Sequence, residues 1–286
     1  MFKQTFAFCI SAMIYTAVVA SPLVIAHRGG TADAPENTVN TIQQALTNKA
    51  DIIWITVQLT KDKIPILYRP SNLSSLTDGQ GFVSQYNYDQ LERLNVAYAF
   101  DQQHQIHLSE KIPTLEQVLD HFPNTRFFID IKSPNANPTE MGQALEQVVT
   151  KKHAENNVLF YSTNSAFLDH LPVSLHKFET RDETRSLLTH ILLSGDQCPI
   201  HRQNNHSKWY GFELRRKVDV VEKFTLGEGH TAAELVWNKA AVKCLRSGGA
   251  SVVLFGVNNP EDYKLAKKLH ADAVMVDSLV DFNHKK

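Results

Sequence analysis

The sequence predicts an α/β protein, a single (β/α)8 TIM barrel with an inserted loop region after its third strand. Three observations lead there. Short, nearly all-apolar runs alternate with longer helical patterns from residue 21 onward. Runs of that kind suit parallel strands covered on both faces. Eight such runs can be counted, and a length of 286 residues suits one large barrel. The alternation alone also admits a doubly wound open sheet.

In order, the strand readings are Leu23–Ala26, Ile52–Val57, Ile64–Leu67, Arg126–Ile131, Val158–Tyr161, Tyr210–Leu214, Ser251–Phe255 and Ala273–Val276. The first helix, Thr38–Leu46, follows Asn37 as its cap. Thr114–Phe122 opens with the capping-box spacing of Thr114 and Gln117. Pro138–Lys152 and Pro260–His270 each begin on a proline, which suits a first helical turn. Asp182–Leu193 is a further helix. Thr231–Ser247 reads as a long one, ended by Gly248-Gly249. Gln80–Lys111 is long and mostly polar, an insertion over one barrel end. No linker or internal repeat divides the chain.

Composition narrows the function. Hydrophobic residues make up 43% and charged residues 21%, with a net charge of −1. That balance describes a mixed solvated surface, and nothing in it points to a nucleic-acid partner. The first 20 residues read as a secretory signal peptide, with Lys3, an uncharged apolar run Phe6–Val19, and Val18-Val19-Ala20 before Ser21. The run is shorter than the roughly 20 residues of a membrane span, an uncleaved anchor being the alternative. Residues 21–286 are then the barrel, exported to the periplasm or the medium. Cys9 leaves with the signal, and Cys198 and Cys244 remain. An even pair in an oxidising compartment admits a disulfide or two separate buried thiols. Neither sits in a C-x-x-C pair, so no zinc site is indicated.

Parallel barrels carry their chemistry at the C-terminal ends of strands. His27 and Arg28 end the first strand, and Gly29-Gly30 forms a turn without side chains, where N–H groups can approach an anion. Pro35-Glu36-Asn37-Thr38 follows. Farther on stand Gln58-Leu59-Thr60-Lys61-Asp62 with Pro65, Ile112-Pro113-Thr114-Leu115-Glu116, Ile129-Asp130-Ile131-Lys132, Val257-Asn258, and Ala271 to Asp277. Taken together these segments resemble the glycerophosphodiester phosphodiesterase family. The resemblance covers most of residues 21–286 and is weak between Asn156 and Leu226.

The resemblance implies a (β/α)8 barrel that splits a glycerophosphodiester into glycerol phosphate and an alcohol. It implies two histidines that exchange protons, and a Mg²⁺ or Ca²⁺ held by Glu, Asp and Glu. His27 matches the first histidine, Arg28 the phosphate-contacting arginine, Glu36 the glutamate of the Pro-Glu-Asn-Thr segment, and Lys132 the lysine after the third carboxylate. Other positions depart from the pattern. Trp54 and Thr56 stand where the metal-binding Glu and Asp belong, Asp130 replaces the third carboxylate with a shorter one, and Arg69 takes the place of the second histidine.

A hard divalent cation needs several oxygen ligands. Trp54 offers none and Thr56 a neutral hydroxyl, leaving Asp130 and Glu36 as weak metal ligands. Arg69 cannot donate a proton usefully, because a guanidinium holds its protons too tightly. Arg28, Arg69 and Lys132 can instead form a cationic pocket for phosphate. Trp54 reads as a plug in the vacated metal space.

Two functions follow. One is a degenerate family member that binds a small phosphate-bearing ligand, such as a glycerophosphodiester or a membrane-lipid head group, with weak or no hydrolysis. The other is a working phosphodiesterase with a rebuilt metal site on Asp130, Glu36 and either Glu213 or Glu228. The loop Thr225–His230 is glycine-rich without phosphate-loop spacing, so Glu228 and His230 read mainly as cap and loop residues. His201 and His206 read as surface. The oligomeric state stays open.

Overall fold

The computed structural model describes residues 21–199 and 208–285. The signal-peptide reading, His201 and His206 therefore lie outside the described residues. The chain runs β1 (Leu23–His27), α1 (Val39–Thr47), β2 (Ile52–Leu59), β3 (Pro65–Leu67), α2 (Tyr88–Leu91), α3 (Tyr98–His104), α4 (Leu115–His121), β4 (Phe127–Ile131), α5 (Pro138–Lys151) and β5 (Val158–Tyr161). It continues with α6 (Ser165–Asp169), α7 (Arg181–Leu193), β6 (Trp209–Glu213), β7 (Arg215–Phe224), β8 (Gly227–Val236), α8 (Lys239–Arg246), β9 (Ser251–Phe255), α9 (Pro260–Leu269), β10 (Ala273–Val276) and α10 (Leu279–Lys285).

Seven strands form a parallel sheet in the order β5-β4-β2-β1-β10-β9-β6. The eighth barrel position is an extended segment after α6. The Phe160 amide donates to the His176 carbonyl at 2.9 Å, and the Phe178 amide donates to Phe160 at 2.8 Å. On the other side, the Glu179 amide donates to the Trp209 carbonyl at 2.9 Å. This segment spans the gap between β5 and β6, so the sheet closes as a (β/α)8 barrel.

Residues Ile64–Leu67 do not take that place. β3 runs antiparallel to β2, with Val57 opposite Leu67 and Leu59 opposite Pro65. The reason is connection length: Thr60–Ile64 can make a hairpin, whereas a parallel crossover needs about a dozen residues or more. The insertion that follows builds its own apolar cluster on β3, with Tyr68, Leu73, Val83, Leu91, Val96 and Ile112 around Ile66.

The long helix expected over Thr231–Ser247 is divided. Gly227–Val236 pairs with β7 along its whole length, from Phe224 opposite Gly227 to Arg215 opposite Val236. Thr225 and Leu226 make the two-residue turn. Ladder pairing overrides the helix propensity of the Ala232–Val236 stretch. α8 begins only after Asn238, whose side chain accepts from the Ala241 amide at 2.8 Å. Cys198 and Cys244 are joined as a disulfide, which ties the segment after α7 to α8.

Strand periodicity decides what faces the barrel axis. On β2, Ile53, Ile55, Val57 and Leu59 belong to the outer core beneath the helices, while Ile52 and Trp54 belong to the inner one. On β4, Phe127, Ile129 and Ile131 face outward and Phe128 inward. The same alternation places Thr56 and Asp130 one layer above Trp54 and Phe128, directly opposite each other in register.

Candidate active site

The C-terminal mouth of the barrel holds a cavity of about 460 Å³. His27, Trp54, Thr56, Asp130, Tyr161 and Glu213 reach it from five strands of the barrel, Arg28, Arg69, Lys132 and Asp277 from the segments just beyond strand ends, Arg181 from the start of α7 and Arg216 from β7.

The turn after β1 is unusual for its residue types. Arg28 sits at φ 52°, in the left-handed region, and Gly29 and Gly30 follow at 83° and 111°. A Cβ on Gly29 would lie 2.8 Å from Thr41 Cγ2, so the glycine is required there. Strained non-glycine backbone of this kind is held by its surroundings. Here Glu36 holds Arg28, with a carboxylate oxygen 3.0 Å from Nη1.

The neighbouring residues share that structural work. Asn37 Oδ1 accepts the Thr56 amide at 3.0 Å, and Thr38 caps α1. Pro35-Glu36-Asn37-Thr38 is therefore a clamp on the turn and on β2. Glu36, expected as a weak metal ligand, faces Arg28 and does not line the cavity.

His27 Nδ1 lies 2.6 Å from Asp277 Oδ1. Asp277 also accepts from Thr31 Oγ1 at 3.3 Å and from Asn258 Nδ2 at 2.5 Å. The hydrogen bond from His27, ahead of the other partners, holds the Asp277 carboxyl below the usual range. This network fixes the imidazole and leaves Nε2 as the ring nitrogen for a ligand.

Asp130 is 3% exposed, and its carboxyl is pushed up to about 6 by burial, against the opposing pull of Lys132, Arg69 and Arg28. Lys132 Nζ lies 3.6 Å from Oδ2. Oδ1 has no hydrogen-bond partner, and neither has the Thr56 hydroxyl opposite it. Two unsatisfied buried polar atoms on adjacent strands mark where a ligand or water belongs.

Trp54 is 2% exposed. Its ring packs at 5.2 Å from both Tyr161 and Phe255, and within 6.4 Å of Phe128 and Phe178. The side chain fills the centre of the barrel below the cavity floor, in an aromatic cluster of tilted and edge-to-face contacts.

Glu213 does not present free oxygens to a cation. Arg181 Nη2 donates to both of them at 2.7 Å, and Arg216 stands 3.5 Å away. Arg181 also reaches the Tyr161 hydroxyl at 3.3 Å, while burial pushes that phenol up to about 12. Glu228 and His230 lie on β8 and do not line the cavity; His230 Nδ1 is 3.0 Å from Asp219. Both are strand residues, not cap and loop residues.

Arg69 lines the cavity, is exposed, and has no carboxylate partner among the described residues. Five Arg and Lys side chains line the space against three carboxylates, Asp130, Glu213 and Asp277. The arrangement favours an anion.

Sequence reasoning did not single out Arg181, Tyr161, Arg216 or Asp277. Asp277 carried a signal, since it directly follows a strand. Arg181 carried none, because the first turn of α7 brings it over β6 from the stretch where the motifs of the family are weakest.

Comparisons with known proteins give the family and the fold. The model of the glycerophosphoryl diester phosphodiesterase family matches residues 27–280. The uncharacterized protein Rv2277c of Mycobacterium tuberculosis is 41% identical over 268 residues, covering 90% of this chain and 87% of that one. The crystal structure of its glycerophosphoryl diester phosphodiesterase domain matches with a TM-score of 0.83 at 37% identity, over 93% of this chain and 99% of that chain. A glycerophosphodiester phosphodiesterase of Bacillus subtilis is 32% identical over 252 residues, 84% of this chain and 78% of the relative. In fold alone, an Oleispira antarctica phosphodiesterase solved with the product sn-glycerol-3-phosphate matches with a TM-score of 0.68 at 21% identity, over 92% of this chain and 96% of that one. The match runs from the His27 turn to α10, so the chain belongs to the glycerophosphoryl diester phosphodiesterase family.

Proposed function

We propose that this protein binds a glycerophosphodiester or a related phosphate-bearing ligand through its cationic barrel mouth, and hydrolyses it weakly or not at all. The observation that carries the reading is Trp54. It stands where the family resemblance implies a metal ligand, and its ring is locked among four other aromatic rings.

The donors present do not suit the divalent cation that the family resemblance implies. Asp130 offers one unpartnered oxygen beside Lys132, Thr56 offers a neutral hydroxyl, and Trp54 offers no oxygen. Among the described residues no three His, Cys, Asp or Glu side chains cluster as ligands. A rebuilt site would have to draw on Glu36 or Glu213, each of which is paired to an arginine.

The remaining chemistry belongs to the side chains. Arg69 and Lys132 offer N–H donors to phosphoryl oxygens, and the Asp277–His27 pair presents one oriented imidazole. A second proton carrier would have to stand at Arg69, whose guanidinium offers N–H donors and no acceptor. General acid–base catalysis needs a group that exchanges protons near the operating pH. The ligand of the Oleispira protein is of the class proposed.

Turnover of glycerophosphocholine with added Mg²⁺ or Ca²⁺ tests the reading. The expected wild-type rate is close to background. The triple variant Trp54→Glu, Thr56→Asp, Arg69→His should exceed it, because metal ligands and the second imidazole are restored together. Robust metal-dependent turnover by wild type, abolished by Asp130→Asn, would overturn it.

A further inference from the structure

A second cavity of about 420 Å³ adjoins the first and shares Arg69, Lys132 and Thr163 with it. Its size falls in the range of about 300–1,000 Å³ typical of small-molecule sites. Its lining differs in kind from the first cavity. No carboxylate lines it. The polar groups beyond the shared wall are Ser71, Ser133 and Asn164, all neutral, and Pro134 and Phe167 supply apolar surface.

Two of the polar groups are positioned by the fold. Ser133 Oγ accepts the Leu59 amide at 3.0 Å, which leaves its hydroxyl proton for another acceptor. Asn164 Oδ1 accepts the Ala166 amide at 3.1 Å, which leaves its Nδ2 donors. Both side chains are therefore fixed in place and still have a donor to give.

We propose that this groove is the subsite for the alcohol half of the diester, and that it selects an uncharged, hydroxyl-rich alcohol over a quaternary ammonium one. The inference rests on the phosphate-binding reading above. With the phosphoryl group against Arg69 and Lys132 on the shared wall, the alcohol oxygen of the diester points into the second cavity. A polyol there meets hydroxyl and amide partners on one side and Phe167 and Pro134 against its C–H face. A choline head meets two cations and no counter-charge, with the single Phe167 ring as its one attractive partner. Like charge in a partly closed groove is a repulsive element, and specificity is often built that way.

Calorimetry on the mature protein tests this with three probes: sn-glycerol 3-phosphate, glycerophosphoinositol and glycerophosphocholine. The expected result is glycerophosphoinositol binding about tenfold or more tightly than glycerophosphocholine, the effect of one or two hydrogen bonds lost and a like charge added. Ser71→Asp, at an exposed position lining only the second cavity, should shrink or reverse that ratio. Equal affinities in wild type, a preference for glycerophosphocholine, or a ratio unmoved by Ser71→Asp would each overturn the groove assignment. In those cases the phosphate-binding reading stands if sn-glycerol 3-phosphate binds and Arg69→Ala weakens it. Failure of wild type to bind sn-glycerol 3-phosphate at all would overturn both.

Discussion

Asp130 shows how a single substitution acts through its surroundings. Its carboxyl is raised to about 6 because burial outweighs three nearby cations. The usual carboxylate value is about 3.9, so the folded state holds an extra proton between about pH 4 and 6. Stability from this group is therefore highest below pH 4 and falls as pH rises through that window. The loss is on the order of 1–3 kcal/mol and is complete above about pH 6. Asp130→Asn should remove that slope from urea unfolding measured between pH 4 and 7. The same ionisation adds a negative charge beside the phosphate position. Affinity for a glycerophosphodiester, whose own charge does not change in this range, should fall as pH rises through about 6, and less so in Asp130→Asn. Trp54 makes the complementary point. The resemblance implies a metal ligand where this chain has an indole, but only packing shows that Tyr161, Phe178 and Phe255 close around that ring.

Among the elements, those with strong local signals were legible in advance. α5 and α9 begin on prolines, and α4 begins with a capping box. What failed were readings that needed pairing partners. β3 looked like a barrel strand, because apolar content does not reveal direction. β8 looked helical, because Ala, Glu and Leu suit both states until a partner strand is present. The segment closing the barrel at 176–179 carries His176 and Lys177, and no apolar run marks it. The site was legible in the same uneven way. His27, Arg28, Arg69, Asp130 and Lys132 line the mouth, while Arg181 and Tyr161 come from a region without a motif. The disulfide is an element-scale constraint, since it ties the segment after α7 to α8 with a sequence separation of 46. Cys198→Ser with Cys244→Ser should lower stability by about 2–4 kcal/mol, as read from the urea midpoint with an unchanged m-value.

At the scale of the whole molecule, one barrel presents a positively biased mouth with its inner layer sealed by aromatic rings. No described helix is long and apolar enough to cross a membrane. The signal-peptide reading of residues 1–20 predicts mature protein starting near Ser21, and N-terminal sequencing of the secreted or periplasmic form checks it. Recovery of intact Met1 in the membrane fraction would indicate an anchor. The central claim is that this barrel holds phosphate with its own cations. The most direct measurement is calorimetric binding of sn-glycerol 3-phosphate in EDTA, repeated with millimolar Mg²⁺ or Ca²⁺. The account predicts binding in EDTA, little changed by either metal and strongly weakened by Arg69→Ala. Binding that appears only with metal, and is lost in Asp130→Asn, would contradict it.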